Sequence, residues 1–107
     1  MGNLLNVEAV ERKIYREKFT ISLDGVSWNQ ISTGKYYKSF NIANYISGFS
    51  SSTYTTLSAN INDFDNLKGD DYIDIYLGDG TVGLMSNRNT HTSGASITVL
   101  LIYILNV

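Results

Sequence analysis

The stretch Ile97 to Val107, ITVLLIYILNV, decides the fold of this chain. From Ile97 to Leu105 only Thr98 is clearly polar, so the two-residue period of a strand puts apolar side chains on both faces. Ile97, Val99, Leu101, Tyr103 and Leu105 fall on one side, and Leu100, Ile102 and Ile104 on the other. A half-solvated antiparallel sheet alternates apolar with polar. This strand does not, so its second face calls for a cover, either a second sheet or another copy of the chain. A bilayer span takes roughly 20 apolar residues, and this run is about half that and rich in β-branched side chains. It reads as a strand, and no membrane insertion is expected.

Upstream segments follow the same period. Tyr15, Phe19, Ile21 and Leu23 alternate with Arg16, Lys18, Thr20 and Ser22, a half-buried strand whose apolar face Glu17 interrupts. Asp24-Gly25 punctuates, and the next segment carries the sole Trp, Trp28, expected to pack inside. Gly34 opens a second strand over 35–46, with Tyr36, Phe40 and Ile42 on one face. A Gly/Ser loop over 48–52 leads into a third strand over 54–61, with Leu57, Ala59 and Ile61 inward. Residues 62–71 (NDFDNLKGDD) read as an acidic loop. Ile73, Ile75 and Leu77 then alternate with Tyr72, Asp74 and Tyr76, and Gly78-Asp79-Gly80 signals a hairpin returning through Thr81–Met85. Residues 86–96 are polar and loop-like. Short strands at regular spacing with glycine turns predict an all-β chain, an antiparallel β-sandwich or jelly roll. Asn3 is placed to cap a short helix or stem end over residues 1–12, ahead of a single β-domain over 13–107.

Composition limits the function. The chain has 107 residues, enough for one core. Charged residues are 17%, below the roughly 25% of an average globular protein, so the surface favours neutral hydrogen bonding over ion steering. Residues 1–50 carry +2 and residues 51–107 carry −4, with no basic stripe, so nucleic acid is not an expected partner. Cysteine is absent, which excludes disulfides and thiolate metal sites. The start, MGNLLNVEAVERK, lacks the long apolar core and cleavage site of a secretory signal, so no signal peptide is expected.

Few residues suit catalysis. A histidine-dependent triad has only His91 to use, it lies in the polar loop NRNTHTSG, and no G-x-S-x-G elbow accompanies it; the reading is a solvated loop histidine. Asp63, Asp65, Asp70 and Asp71 offer oxygen ligands that calcium would accept, but the EF-hand pattern fails at Leu67 and Lys68, so a solvated turn is expected. Asp74 and Asp79 are carboxylates without a deep cleft to serve. No metal, no cofactor and no enzymatic activity are expected. The aromatics are a better lead. Eight Tyr against four Phe and one Trp is a ratio suited to wet interfaces, because a phenol joins a flat apolar face to a hydroxyl. Tyr36, Tyr37, Tyr45 and Tyr54, with Asn87 and Asn89, are the candidate ligand-binding residues.

The order Tyr15-x-x-x-Phe19-Thr20-Ile21, Val26-Ser27-Trp28, Gly34-Lys35-Tyr36-Tyr37-Lys38-Ser39-Phe40-Asn41-Ile42 and the closing Ile97-Thr98-Val99-Leu100-Leu101-Ile102-Tyr103 resembles small distal domains of tail-fibre and baseplate proteins. These belong to phages and prophages of Gram-positive bacteria. The resemblance spans residues 13–104 loosely; the acidic segment 62–80 departs from it. It implies a trimeric β-sandwich at the tip of the virion tail that touches the host envelope, and it transfers no catalytic residue.

Three expectations follow. The leading one is a non-enzymatic, homotrimeric receptor-binding module for cell-surface saccharide, with Leu100, Ile102 and Ile104 at the oligomer interface. The second is a trimerisation or capping domain without a ligand. The third is a monomeric carbohydrate-binding accessory domain of a secreted enzyme.

Overall fold

The computed structural model describes residues 13–106, so the expected helix over 1–12 lies outside the described residues. Seven strands follow one another: β1 (Ile14–Ser22), β2 (Asn29–Ser32), β3 (Lys35–Asn41), β4 (Tyr54–Asp65), β5 (Ile73–Leu77), β6 (Thr81–Ser86) and β7 (Ser96–Leu105). They form two antiparallel sheets, β1-β7-β4 and β2-β3-β6-β5, which pack as a β-sandwich. Among the described residues no helix is long and apolar enough to cross a membrane.

The doubly apolar segment becomes the centre of the three-stranded sheet. Its inner row, Ile97, Val99, Leu101 and Tyr103, is 0–3% exposed. Each fully buried aliphatic side chain of this kind contributes about 1.5–3 kcal/mol by leaving water. β1 adds Phe19 and Ile21, and the facing sheet adds Ile73, Val82 and Leu84. The outer row, Leu100, Ile102 and Ile104, is half-buried by flanking strands, and neither sheet stacks upon it.

Local deviations explain the differences from the sequence expectation. β3 ends at Asn41, five residues early, because a 3-10 turn over Ile42–Asn44 redirects the chain, with the Ile42 amide donating to Gly80 O at 3.0 Å. Ile42, Ile46 and Phe49 thereby plug the core from a non-strand segment. β4 runs on to Asp65, so the acidic loop begins four residues later than expected. Its register to β7 slips between Thr56 and Ser58 and again between Ile61 and Asp63. The first slip inserts Leu57 as an extra residue, and Leu57, expected inward, is 51% exposed. Ala59 and Ile61 pack against the core as expected. Glu17 does not break the apolar face so much as cap it: the Tyr103 hydroxyl donates to Glu17 Oε1 at 2.8 Å. With burial first and this bond second, the Tyr103 phenol is pushed far above its ordinary value.

Candidate functional site

Strand parity sorts the four-stranded sheet into two faces. Val82, Leu84 and Ser86 of β6 point to the core, which leaves Thr81, Gly83 and Met85 outside. Met85 registers between Tyr37 of β3 and Asp74 of β5, and Gly83 between Ser39 and Tyr76. The outer face therefore carries Tyr37, Asp74 and Tyr76 around two small or flexible residues, with Tyr72 just before β5.

These side chains make a shallow site. Tyr72 and Tyr76 are 61% and 49% exposed, and both hydroxyls donate to Asp74 Oδ2, at 3.1 and 3.4 Å. The bond to Asp74, followed by its charge, raises the Tyr72 phenol above its usual value. Gly83 shapes the neighbouring part of this face. A Cβ there would lie 2.8 Å from Tyr37 Cε1 and Cζ and closer still to its hydroxyl, so the missing side chain is what lets the Tyr37 ring lie over β6. Beside it opens a depression of about 220 Å³ over Met85, lined also by Lys35, Tyr72, Asp74, Tyr76 and Asn87. That is below the roughly 300 Å³ at which drug-sized pockets begin, and suits a single ring-sized group. The lining combines aromatic faces with an acceptor carboxylate and a donor ammonium of opposite charge.

Behind this wall lies a buried polar cluster. Ser86 Oγ is 3.1 Å from His91 Nε2, and His91 Nδ1 is 3.4 Å from Asp71 Oδ2. The His91 and Asp71 side chains are wholly buried, so His91, expected to be solvated, is not. The chain folds it inward because two polar partners, Ser86 and Asp71, await it there, with Trp28 packed at 5.7 Å from its ring. Trp28 itself is half-buried against the core. Arg88 Nη2 bonds Asp70 at 2.8 Å, and Arg88 Nε lies 2.6 Å from Asp71 Oδ1, an ion-pair contact off the hydrogen-bond line. Burial works to raise the Asp71 carboxyl. The Lys68 amide, the His91 ring and the Arg88 guanidinium outweigh it and hold Asp71 below the ordinary carboxylate range.

The order Ser86–His91–Asp71 mimics a nucleophilic triad, but the hydroxyl is committed. Ser86 is 1% exposed, donates to Arg88 O at 2.7 Å and accepts from Arg88 N at 3.2 Å. A side-chain hydroxyl has one proton and two lone pairs, and His91 takes the remaining place. This is a bracing turn, with no approach for an acyl group.

The expected ligand-binding residues scatter. Tyr37 stands on the outer face. Tyr36 registers opposite the core-facing Ser86. Tyr45 and Tyr54, expected outward, instead pack on the core: Tyr45 stacks on Phe19 at 5.0 Å and Tyr54 on Phe49 at 5.6 Å. Burial raises the Tyr45 phenol accordingly. Asn87 borders the depression, yet its amide is spent inward, accepting from Tyr72 N and donating to Asp70 O, both at 2.9 Å. Asn89 is exposed in the following loop. The four acidic candidates do not converge: Asp63 and Asp65 register with Thr98 and Ser96 on β7, whereas Asp70 and Asp71 hold Arg88. Among the described residues no group of three or more acidic, His or Cys side chains is arranged to hold a metal ion. Tyr72, Asp74 and Tyr76 were not among the expected site residues. The signal for them was the β5 alternation, which writes them opposite Ile73, Ile75 and Leu77.

No protein-family model, no curated protein and no solved structure matches this chain.

Proposed function

We propose that this domain is a non-enzymatic receptor-binding module that takes cell-surface saccharide on the outer face of its four-stranded sheet. The observation that carries the reading is the exposed Tyr72–Asp74–Tyr76 group, in which two phenols fix one carboxylate beside an open depression. A sugar ring has an apolar face that aromatic rings can cover and hydroxyls that need both acceptors and donors. Asp74 supplies the first and Lys35 the second. A depression this small gives weak single-site binding, which multivalent display at the tip of a phage tail fibre or baseplate would strengthen. In that proposal the domain acts in the virion as a homotrimer. Leu100, Ile102 and Ile104 meet the other copies on the opposite sheet, so the saccharide face points outward.

The test is a Tyr72→Ala/Tyr76→Ala double variant in a pull-down on host cell walls. The folded double variant is expected to lose at least tenfold in binding; undiminished binding overturns the assignment. Molar mass by light scattering tests the assembly. Three chain masses in the wild type and one in Ile102→Asp are expected, and a wild-type monomer would move the reading to an accessory carbohydrate-binding domain. A second reading, a ligand-free trimerisation or capping domain, draws on the half-buried apolar outer row of β7. It keeps the trimer and binds no cell wall.

A further inference from the structure

We propose that the outer face of the three-stranded sheet takes a second copy of this chain, turned about an axis along β7 so that the β1 edge of each copy meets the β4 edge of the next. The inference rests on the assembly read above for Leu100, Ile102 and Ile104. It adds the orientation of the copies and the charges that select it.

The strand register sorts the charges on this face. β7 is the central strand, and none of its residues is charged. Opposite its outer residues Ile102 and Leu100, β1 places Arg16 and Lys18. Opposite Thr98 and Ser96, β4 places Asp63 and Asp65. The remaining outer positions that β1 and β4 pair with β7 are uncharged. All four charged residues are exposed. Among the described residues none of them forms an ion pair within the chain, since those pairs involve only Arg88, His91, Asp70 and Asp71. Ile14, exposed opposite Ile104, carries the apolar row to the β1 edge. The face is therefore apolar along its centre, basic on one edge and acidic on the other.

That distribution decides what covers it. A partner of a single charge, such as an acidic chain or an anionic membrane surface, gains at one edge and is repelled at the other. A copy turned about an axis across the strands lays β1 on β1 and β4 on β4, like charge on like. A copy turned about an axis along β7 instead brings basic edge to acidic edge, with the apolar rows facing the axis. Lys18 and Asp63 stand one outer row apart, about 7 Å along the strands, a step that a flexible four-carbon stem reaches. Arg16 and Asp65 lie further along and extend the two fields of opposite sign. Every copy offers one edge and receives the other, so the contact is head-to-tail and closes into a ring.

The experiment is sedimentation equilibrium of the full chain at low ionic strength, where exposed charges are least screened. It compares wild type, Arg16→Glu/Lys18→Glu, Asp63→Lys/Asp65→Lys, and the quadruple variant with both edges reversed. Circular dichroism checks that each variant is folded. Each single-edge reversal is expected to weaken assembly by about tenfold or more, because it sets like charges against each other. The quadruple variant should return to within about threefold of wild type, because it restores opposite charges at every contact. This recovery also separates the pairing from local damage, since the Asp63 carboxylate accepts from the Phe64 amide within its own strand and the quadruple variant lacks that bond too. A wild-type oligomer indifferent to both reversals, or a quadruple variant as weak as either one, overturns the edge pairing and leaves the apolar assembly on β7 standing. A wild-type monomer overturns both and leaves the face to an occupant other than a second copy.

Discussion

Tyr15, Tyr54 and Tyr103 crowd one end of the inner layer, whereas Tyr37, Tyr72 and Tyr76 stand on the outer face of the other sheet. In the first group Tyr15 stacks on its cross-strand partner Tyr103 at 5.0 Å, and Tyr54 meets Tyr103 edge-on at 5.1 Å. Pairs of this kind add about 0.5–1.5 kcal/mol beyond the area they bury. In the second group Tyr37 is half-buried over Gly83, whereas the Tyr72 and Tyr76 rings are exposed and their hydroxyls, not their faces, are engaged within the protein. The same residue type thus serves packing in one place and a ligand surface in the other. What separates the two is strand parity and which stretch of sheet the partner layer covers.

Mutations sharpen that contrast. Tyr103→Ala is expected to cost about 3–5 kcal/mol by urea unfolding, the range for deleting a buried aromatic ring. Asp71→Asn comes next, at about 1–3 kcal/mol near neutral pH, because it removes the charge that Arg88 pairs with and replaces one of the two acceptor oxygens, shared among Arg88, His91 and Lys68 N, with a donor. Asp71 has a lower pKa folded than unfolded. Its contribution is therefore full above the ordinary carboxylate range and fades as pH falls through the folded value. The gap between wild type and Asp71→Asn should close on acidification, and a constant gap would refute the ion-pair account. Gly83→Ala should cost about 1–3 kcal/mol through overpacking against the Tyr37 ring. Tyr103→Phe removes only the bond to Glu17, about 1 kcal/mol. Tyr76→Ala should move the unfolding midpoint least, within about 0.5 kcal/mol, while weakening cell-wall binding. A large loss of stability in Tyr76→Ala would erase the distinction between the two tyrosine groups.

Much of the sandwich was legible in the chain. Alternation at β1, β5 and β7 and the Gly78-Asp79-Gly80 hairpin depend on neighbours within a few residues, which a sequence displays. β4 was only partly legible, since the slips at Leu57 and Asn62 arise from pairing with β7, some 40 residues away. The site was less legible still. Tyr54 sits in a stretch that reads as a plausible outward face, and Phe49, arriving from a non-strand segment, covers it. His91 sits among polar residues that read as a solvated loop, yet Asp71 and Ser86 reach it across the fold.

By itself the sequence determined the all-β class, the sandwich, the double apolarity of β7 and the absence of disulfide chemistry, because local periodicity and composition are properties of neighbouring residues. Only the tertiary structure decided which tyrosines reach solvent, where the depression opens, and that the lone histidine is buried between a serine and an aspartate. Those outcomes depend on which strand lies beside which and on what the second layer covers, and long-range pairing alone settles both.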